Sequence, residues 1–522
     1  MRERMTVRPR LVSFLIVVGV ALCLYLPFLT RNYDLNGLVE AAALQSGRPG
    51  DLFTPNHMLY RPVAFVVQRV LLAVGWEVGV VSLLQTLSAI FGALGVGFAF
   101  LAFERLTANR SIAMWASLGL AVSWSYWTLS TDVYYFSLAA MSAAAALAVF
   151  VHAESIPMFA VCGFLAGMSA LASQANMFLL PGLAVATVLR DPDSSIGRVI
   201  TRVLAIGIAA AICVVGVFGG VGFWIYEKRS PAVLLEWMAS YSGNALPMWG
   251  AWSLGRIVLV FGSAFRSLLG LELWLFQFFH RFLRNGELPS WVAPIGFVVI
   301  ACGLVMAFRW GARDTRKGNR TLLWLLLMYV AYVPFVIWWE AMEPRWFIMP
   351  NVLLAGLVAV IASRLPPKLH FRVALPAVVL LVGGLNFVMS AAPRRFMPSV
   401  PIQTAACVAS HMKEKDLFLA TEWNWAGYIE YVHSREVLNF INEVSRTGDK
   451  RVALESISKA VEERQRQGSD VYMMDIKVYT PEYMKWLEEQ TKLTATDLRA
   501  YTGEPAFDCV YGTFFRLHPR TP

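Results

Sequence analysis

MRERMTVRPR (1–10) followed by LVSFLIVVGVALCLYLPFL (11–29) decides how the rest of the chain is read. The second stretch has no charge and, as a helix rising about 1.5 Å per residue, is long enough to cross a hydrocarbon core about 30 Å thick. Arg2, Arg4, Arg8 and Arg10 precede it. Positive residues stay on the cytoplasmic side, so the chain from Thr30 onward is delivered outside. No small-x-small cleavage site follows the apolar run, which therefore reads as a retained first span rather than a removed signal.

Comparable apolar stretches recur from Leu11 to Ser390, and composition agrees with them: of 522 residues, 57% are hydrophobic and 15% charged, against about 25% charged in an ordinary soluble domain. The mean hydropathy is +0.54. The formal net charge of +10 does not point to nucleic acid, because most Lys and Arg stand in short connections between apolar segments. ERLTANR (104–110), RDPDSSIGRVITR (190–202), RWGARDTRKGNR (309–320) and SRLPPKLHFR (363–372) are such connections, all expected in the cytoplasm.

That placement tests the doubtful segments. A full crossing at 62–75 would put ERLTANR outside, so a helix along the outer interface is expected there. A crossing at 257–280 would do the same to RWGARDTRKGNR. With Arg256, Arg266, Glu272, His280, Arg281 and Arg284 nearby, that stretch suits an interfacial or re-entrant helix. Spans are then expected at 11–29, 79–101, 111–129, 133–151, 157–172, 175–189, 200–224, 291–309, 321–339, 346–363 and 371–391. The reading is a mainly α, polytopic membrane helical bundle of about eleven spans. It covers 1–392, with long outer loops at 30–78 and 225–290.

After Pro393 the text turns mixed and polar, so 393–522 is expected to be a small soluble α/β domain outside the cytoplasm. DLFLAT (416–421), EVLNFI (436–441) and DVYMMDI (470–476) read as strands, and 449–467 as a helix. No glycine-rich phosphate loop follows any strand, which argues against a nucleotide site. The cysteines stand singly at 23, 162, 213, 302, 407 and 509, with no CxxC and no His at metal spacing, so no zinc or redox site is expected. Cys407 and Cys509 share the soluble domain and can pair in an oxidising compartment. No cofactor is assigned, and a divalent metal is left open.

The outer stretches do not have the composition of mere connectors. The first contains Asp34 just past a span, then His57 and Arg61; STDVYYFS supplies Asp132, Tyr134 and Tyr135; WWEAMEPRWFIMPN places Glu340, Glu343 and Arg345 where a span begins. Charged groups at a membrane face tend to line a cavity or pair with each other. A carboxylate with a suitable pKa activates an acceptor hydroxyl, and Arg holds a phosphate through paired hydrogen bonds. Together they fit transfer from a phosphate-activated lipid. Each also has a plainer reading. Asp34 suits the N-cap of LNGLVEAAALQ, and Asp132 the cap of the following helix. His57 and Arg61 suit a solvated loop, Glu343 and Arg345 a salt bridge, and the tyrosines an aromatic belt.

The arrangement resembles the GT-C superfamily of polyprenyl-phosphate-sugar-dependent glycosyltransferases, in the protein O-mannosyltransferase and aminoarabinose transferase branch. The resemblance covers the membrane region and the soluble domain placed last. Asp34 matches an acid after the first span; Gly47, Asp51 and Pro55 match a G-x-x-x-D-x-x-x-P stretch leading into an interfacial helix. Glu343, Pro344, Arg345, Trp346 and Pro350 match an acid-Pro-Arg-aromatic junction with a later Pro. Leu35 stands where many relatives carry a second acid, and Arg61 where some carry a lysine.

The resemblance implies an inverting enzyme taking a sugar from a polyprenyl-phosphate donor to a glycan, lipid or protein acceptor at the outer face. Asp34 would be the general base or the acid that positions the acceptor, Arg345 and Arg61 would bind the donor phosphate, and His57, Asp132, Tyr134, Tyr135 and Glu343 would line the substrate site. It implies an integral protein of a bacterial inner membrane. The other readings are a transporter or flippase, disfavoured by the absence of an internal repeat, and a scaffold whose outer domain binds partners.

Overall fold

The computed structural model describes residues 7–191, 194–239, 254–270, 316–341, 343–365, 369–422, 424–501 and 503–517. The expected span at 291–309 lies outside the described residues. The described chain forms two compact units, one chiefly of 1–30, 47–238 and 250–393, the other chiefly of 31–46 and 394–522.

The first unit is helical. In chain order its helices include α1 (Val7–Tyr25); the second unit contributes α2 (Leu35–Ser46). The first unit resumes with α3 (Tyr60–Ala73), α4 (Val80–Thr107), α5 (Arg110–Val122), α6 (Trp124–Thr131), α7 (Phe136–His152), α8 (Ile156–Ala172), α9 (Leu179–Arg190) and α10 (Ile196–Trp224). After α11 (Pro231–Ala239) and α12 (Leu254–Leu268) come α13 (Arg316–Glu340), α14 (Ile348–Ala362) and α15 (Leu369–Asn386).

Six helical stretches among the described residues are long and apolar enough to cross a membrane, and shorter apolar helices accompany them. The outward face of α10 carries Ile196, Ile200, Leu204, Ile208, Ile212 and Val215, a stripe at helical spacing. Exposed in water, such a stripe would be unfavourable; against lipid it needs no cover. The alanine-rich α7 is instead buried almost all round, as expected of a helix apolar on every side. Small residues bring backbones together. A Cβ on Gly163 of α8 would stand 2.2 Å from the carbonyl oxygen of Ile206 in α10.

The stretch 111–129, expected as one span, is two helices. Ser123 adopts an extended conformation between α5 and α6. Breaking a helix in an apolar setting frees carbonyls that must find donors. Here Asn386 Nδ2 donates to Val122 O at 2.7 Å and Ser123 Oγ to Leu120 O at 2.7 Å. The same Asn386 side chain accepts from Gly270 N and donates to Leu268 O, both at 2.8 Å, which fastens the end of α12. Where a helix was expected at 62–75 the structure has α3, which exposes Val66, Val70 and Leu72.

The second unit holds a five-stranded sheet of order β2-β1-β3-β5-β4. Its strands are β1 (Leu417–Ala420), β2 (Glu436–Asn439), β3 (Val471–Met474), β4 (Glu504–Cys509) and β5 (Gly512–Arg516). β1 lies parallel to both β2 and β3, with Leu417 opposite Glu436 and Val471. β5 runs antiparallel to β3 and to β4. Buried on both faces, β1 and β3 read as continuous apolar runs. The strand expected at 436–441 stops at Asn439, because Asn439 Oδ1 accepts from Ile441 N at 2.9 Å and Asn442 N at 3.3 Å and starts a helix, Phe440–Thr447.

The expected helix at 449–467 is Lys450–Arg466, capped by Asp449. The hairpin of β4 and β5 was not foreseen. Its half-exposed residues give a weak apolar signal. Cys407 and Cys509 form a disulfide, with Cα atoms 6.0 Å apart.

Candidate active site

The site in the first unit is built around Arg345. Helix α13 ends at Glu340, and a short turn, Pro344–Phe347, opens α14. Pro344 fixes the backbone at the first helical position, where no amide hydrogen is needed. Glu343 caps the turn through an amide hydrogen bond from Arg345 N at 3.4 Å. The guanidinium is thereby aimed at three polar groups. Nη1 donates to Tyr134 Oη at 2.6 Å; Nη2 meets Glu340 Oε2 at 3.3 Å and Glu343 Oε2 at 3.7 Å. Glu340 Oε2 also accepts from Trp346 Nε1 at 3.1 Å.

Tyr134 and Tyr135 lie between α6 and α7, in the loop whose exit Asp132 sets. Asp132 is 1% exposed and accepts from Val133 N at 2.7 Å. Ser88 of α4 fixes the loop, accepting from Tyr134 N at 3.3 Å and donating to Tyr134 O at 3.2 Å. Ser88 is itself in hydrogen-bond contact with Tyr60 Oη at 2.9 Å. The His57 ring stacks on Tyr135 with centroids 3.4 Å apart, and Phe136 meets Trp346 edge-on at 5.2 Å.

The electrostatics are those of a cation site partly neutralised from within. Burial and the charge of Arg61, with a lesser push from Arg345, hold His57 well below the usual histidine range, so it is neutral at pH 7. Arg61 is 5% exposed, and its Nη1 donates to Asp51 O at 2.7 Å, tying the segment before α3 to its start.

The fold therefore gathers Arg345, Glu343, Tyr134, Tyr135 and His57, with Arg61 close enough to act on His57 electrostatically and Asp132 in the supporting loop. Asp34 belongs to the second unit. There its Oδ1 accepts from Asn36 N at 2.9 Å at the start of α2, so the capping role is real. Glu340 and Trp346 complete the surroundings of Arg345 without having been assigned a role. The signal for Glu340 was its place in WWEAMEPRW, one helical turn before Glu343. Among the described residues no cluster of His, Cys, Asp and Glu suits a metal ion. An apolar cleft of about 180 Å³ between α5, α14 and α15, lined by Gly119, Ala355 and Val379 among others, contains none of the residues named from the sequence.

An Arg that presents a planar fork beside a phenol and two carboxylates can bind a phosphate bidentately, exchanging one carboxylate contact for the ligand. The sequence matches no protein-family profile and no curated protein. By structure, the chain is similar over 96% of its length to ArnT from Cupriavidus metallidurans bound to undecaprenyl phosphate, covering 97% of that chain with a TM-score of 0.60 and 14% identity. The apo state of the same protein gives a TM-score of 0.61 and 13% identity, with 97% of this chain and 98% of that chain covered. The archaeal oligosaccharyltransferase AglB from Archaeoglobus fulgidus, in complex with an inhibitory peptide and a dolichol-phosphate, gives 0.50 and 12%, with 98% of this chain and 74% of that chain covered. At such identities the likeness is one of architecture: this chain shares the fold of ArnT and AglB.

Proposed function

We propose that this protein is a membrane glycosyltransferase that moves a sugar from a polyprenyl-phosphate donor to a glycan, lipid or protein hydroxyl, with inversion at the anomeric carbon. The observation that carries the reading is the guanidinium of Arg345, held between Tyr134 and Glu340, in a fold with solved examples bound to undecaprenyl phosphate and to dolichol-phosphate. In the proposed reaction the acceptor oxygen attacks the anomeric carbon as the bond to the phosphate oxygen breaks. The phosphate leaves with the electron pair, and Arg345 takes up the charge that develops on it. Asp34 receives the acceptor proton. Arg61 fixes the first outer loop and adds positive potential. His57, Asp132, Tyr134, Tyr135 and Glu343 shape the substrate site.

About eleven spans would place both the Arg345 junction and the C-terminal domain, 393–522, on the outer face of a bacterial inner membrane, with the N-terminus inside. The disulfide between Cys407 and Cys509 supports an oxidising surrounding for that domain. The test is transfer from radiolabelled polyprenyl-phosphate sugars by the purified protein and by Asp34→Asn. Asn caps a helix about as well as Asp, so the variant should fold and lose transfer. A fully active Asp34→Asn variant removes the proposed base.

A further inference from the structure

Buried polar groups almost always have a hydrogen-bond partner, and each exception asks for one. Within the short run from Thr54 to His57, Thr54 Oγ1, Asn56 Nδ2 and His57 Nδ1 are all covered and have no partner among the described residues. Asn56 is 8% exposed. A loosely built loop would account for such a run, but this one is fastened. His57 N donates to Thr54 O at 3.0 Å, Met58 N to Leu171 O at 2.9 Å, and Gln174 Nε2 to Pro55 O at 2.9 Å. These bonds fix the backbone of the run, while the covered Thr54 Oγ1, Asn56 Nδ2 and His57 Nδ1 stay without a partner among the described residues.

Their position gives them a purpose. The His57 ring lies on Tyr135, whose neighbour Tyr134 holds Arg345, and the charges of Arg61 and Arg345 both reach it. A phosphate bound at Arg345 would carry its substituent into this neighbourhood. An amide nitrogen donates, a hydroxyl donates or accepts, and a neutral imidazole nitrogen does either according to tautomer. A set offering both functions suits sugar hydroxyls, which donate and accept at once. A prenyl chain offers neither.

We propose that Thr54, Asn56 and His57 form the subsite that reads hydroxyl groups of the donor sugar, a proposal that rests on the function given above. Thr54 and His57 are partly exposed through their other atoms.

The test uses the full chain in detergent micelles with mannosyl, glucosyl and arabinosyl undecaprenyl phosphates, and with singly deoxygenated analogues of whichever is turned over fastest. Thr54→Val and Asn56→Leu replace the polar ends with apolar groups of similar shape. Removing an unsatisfied buried group leaves stability unchanged or raises it, so the thermal midpoint should hold. kcat/KM for the donor should fall at least about tenfold, the loss of one hydrogen bond to a substrate hydroxyl. Discrimination against one deoxy analogue should shrink toward unity in the same variant, and Thr54→Ser should stay within about threefold of wild type. Undecaprenyl phosphate lacking a sugar should inhibit wild type and variants alike.

Variants as active and as discriminating as wild type overturn the subsite and leave the phosphate site standing. No inhibition by undecaprenyl phosphate, with no turnover of any donor, overturns the proposed function and this subsite with it.

Discussion

Replacing Arg345 by Lys keeps the charge and removes the fork. In the folded chain one terminal nitrogen of Arg345 donates to Tyr134 Oη at 2.6 Å, while the other faces Glu340 at 3.3 Å and Glu343 at 3.7 Å. A single ammonium cannot serve the two sides of that arrangement and a phosphate together, so at least one charge-assisted hydrogen bond is lost, worth about 1.5–3 kcal/mol. At about 1.4 kcal/mol per factor of ten, kcat/KM for a polyprenyl-phosphate sugar should fall about 10- to 150-fold. The loss should appear both as a raised donor KM and as a lowered kcat, because the phosphate is charged before the transition state and gains charge in it. The measurement is donor saturation with radiolabelled substrate in micelles, together with the thermal midpoint. Lys keeps the positive charge beside Glu340 and Glu343, so the midpoint should fall by no more than a few degrees. A folded Arg345→Lys enzyme within about threefold of wild type in kcat/KM would refute the bidentate phosphate role.

Three further outcomes follow from other parts of the structure. Glu104 is 2% exposed at its side chain and meets Arg10 and Arg110, each at 3.3 Å. Glu104→Ala leaves two cations facing one another. Because both arginines are about one-third exposed, the expected loss is about 1–3 kcal/mol, less than the 3–5 kcal/mol of a fully buried pair, read as a lower thermal midpoint; an unchanged midpoint would show the cluster to be unimportant. The disulfide closes a loop with a sequence separation of 102. Cys407→Ser should therefore destabilise the C-terminal unit by about 2–5 kcal/mol in denaturant, and equal stability of variant and wild type would contradict its structural role.

His57, held neutral by burial and by Arg61, has a folded pKa below its unfolded value of about 6.5. Its contribution to stability is present above that value and lost as pH falls below it, since the unfolded chain then binds a proton that the folded one does not. The thermal midpoint should drop between pH 7.5 and 5.5, less steeply in His57→Gln; parallel profiles would mean that His57 titrates normally.

The apolar helices were legible because lipid demands long apolar runs. Periodicity missed the break at Ser123, since nothing local distinguishes a broken helix from a continuous one when the donor that rescues the freed carbonyl of Val122 is Asn386, far along the chain. The hairpin of β4 and β5 escaped for a related reason: an edge hairpin is half-solvated and carries no strong alternation.

By itself, the sequence of this protein determined that it is built for a bilayer, where most of the described apolar helices lie, and which residue types stand at their ends, because burial in lipid constrains the positions of a span. Tertiary structure decided which of those ends meet. Tyr134 and Arg345 are 211 residues apart, and His57 stacks on Tyr135 from another loop. Side chains so distant are joined only by helix packing, which no local pattern records. The unpartnered groups of Thr54, Asn56 and His57 belong to the same class of fact. A polar residue is visible in a sequence, but whether its hydrogen bonds are made is settled by what the fold places around it.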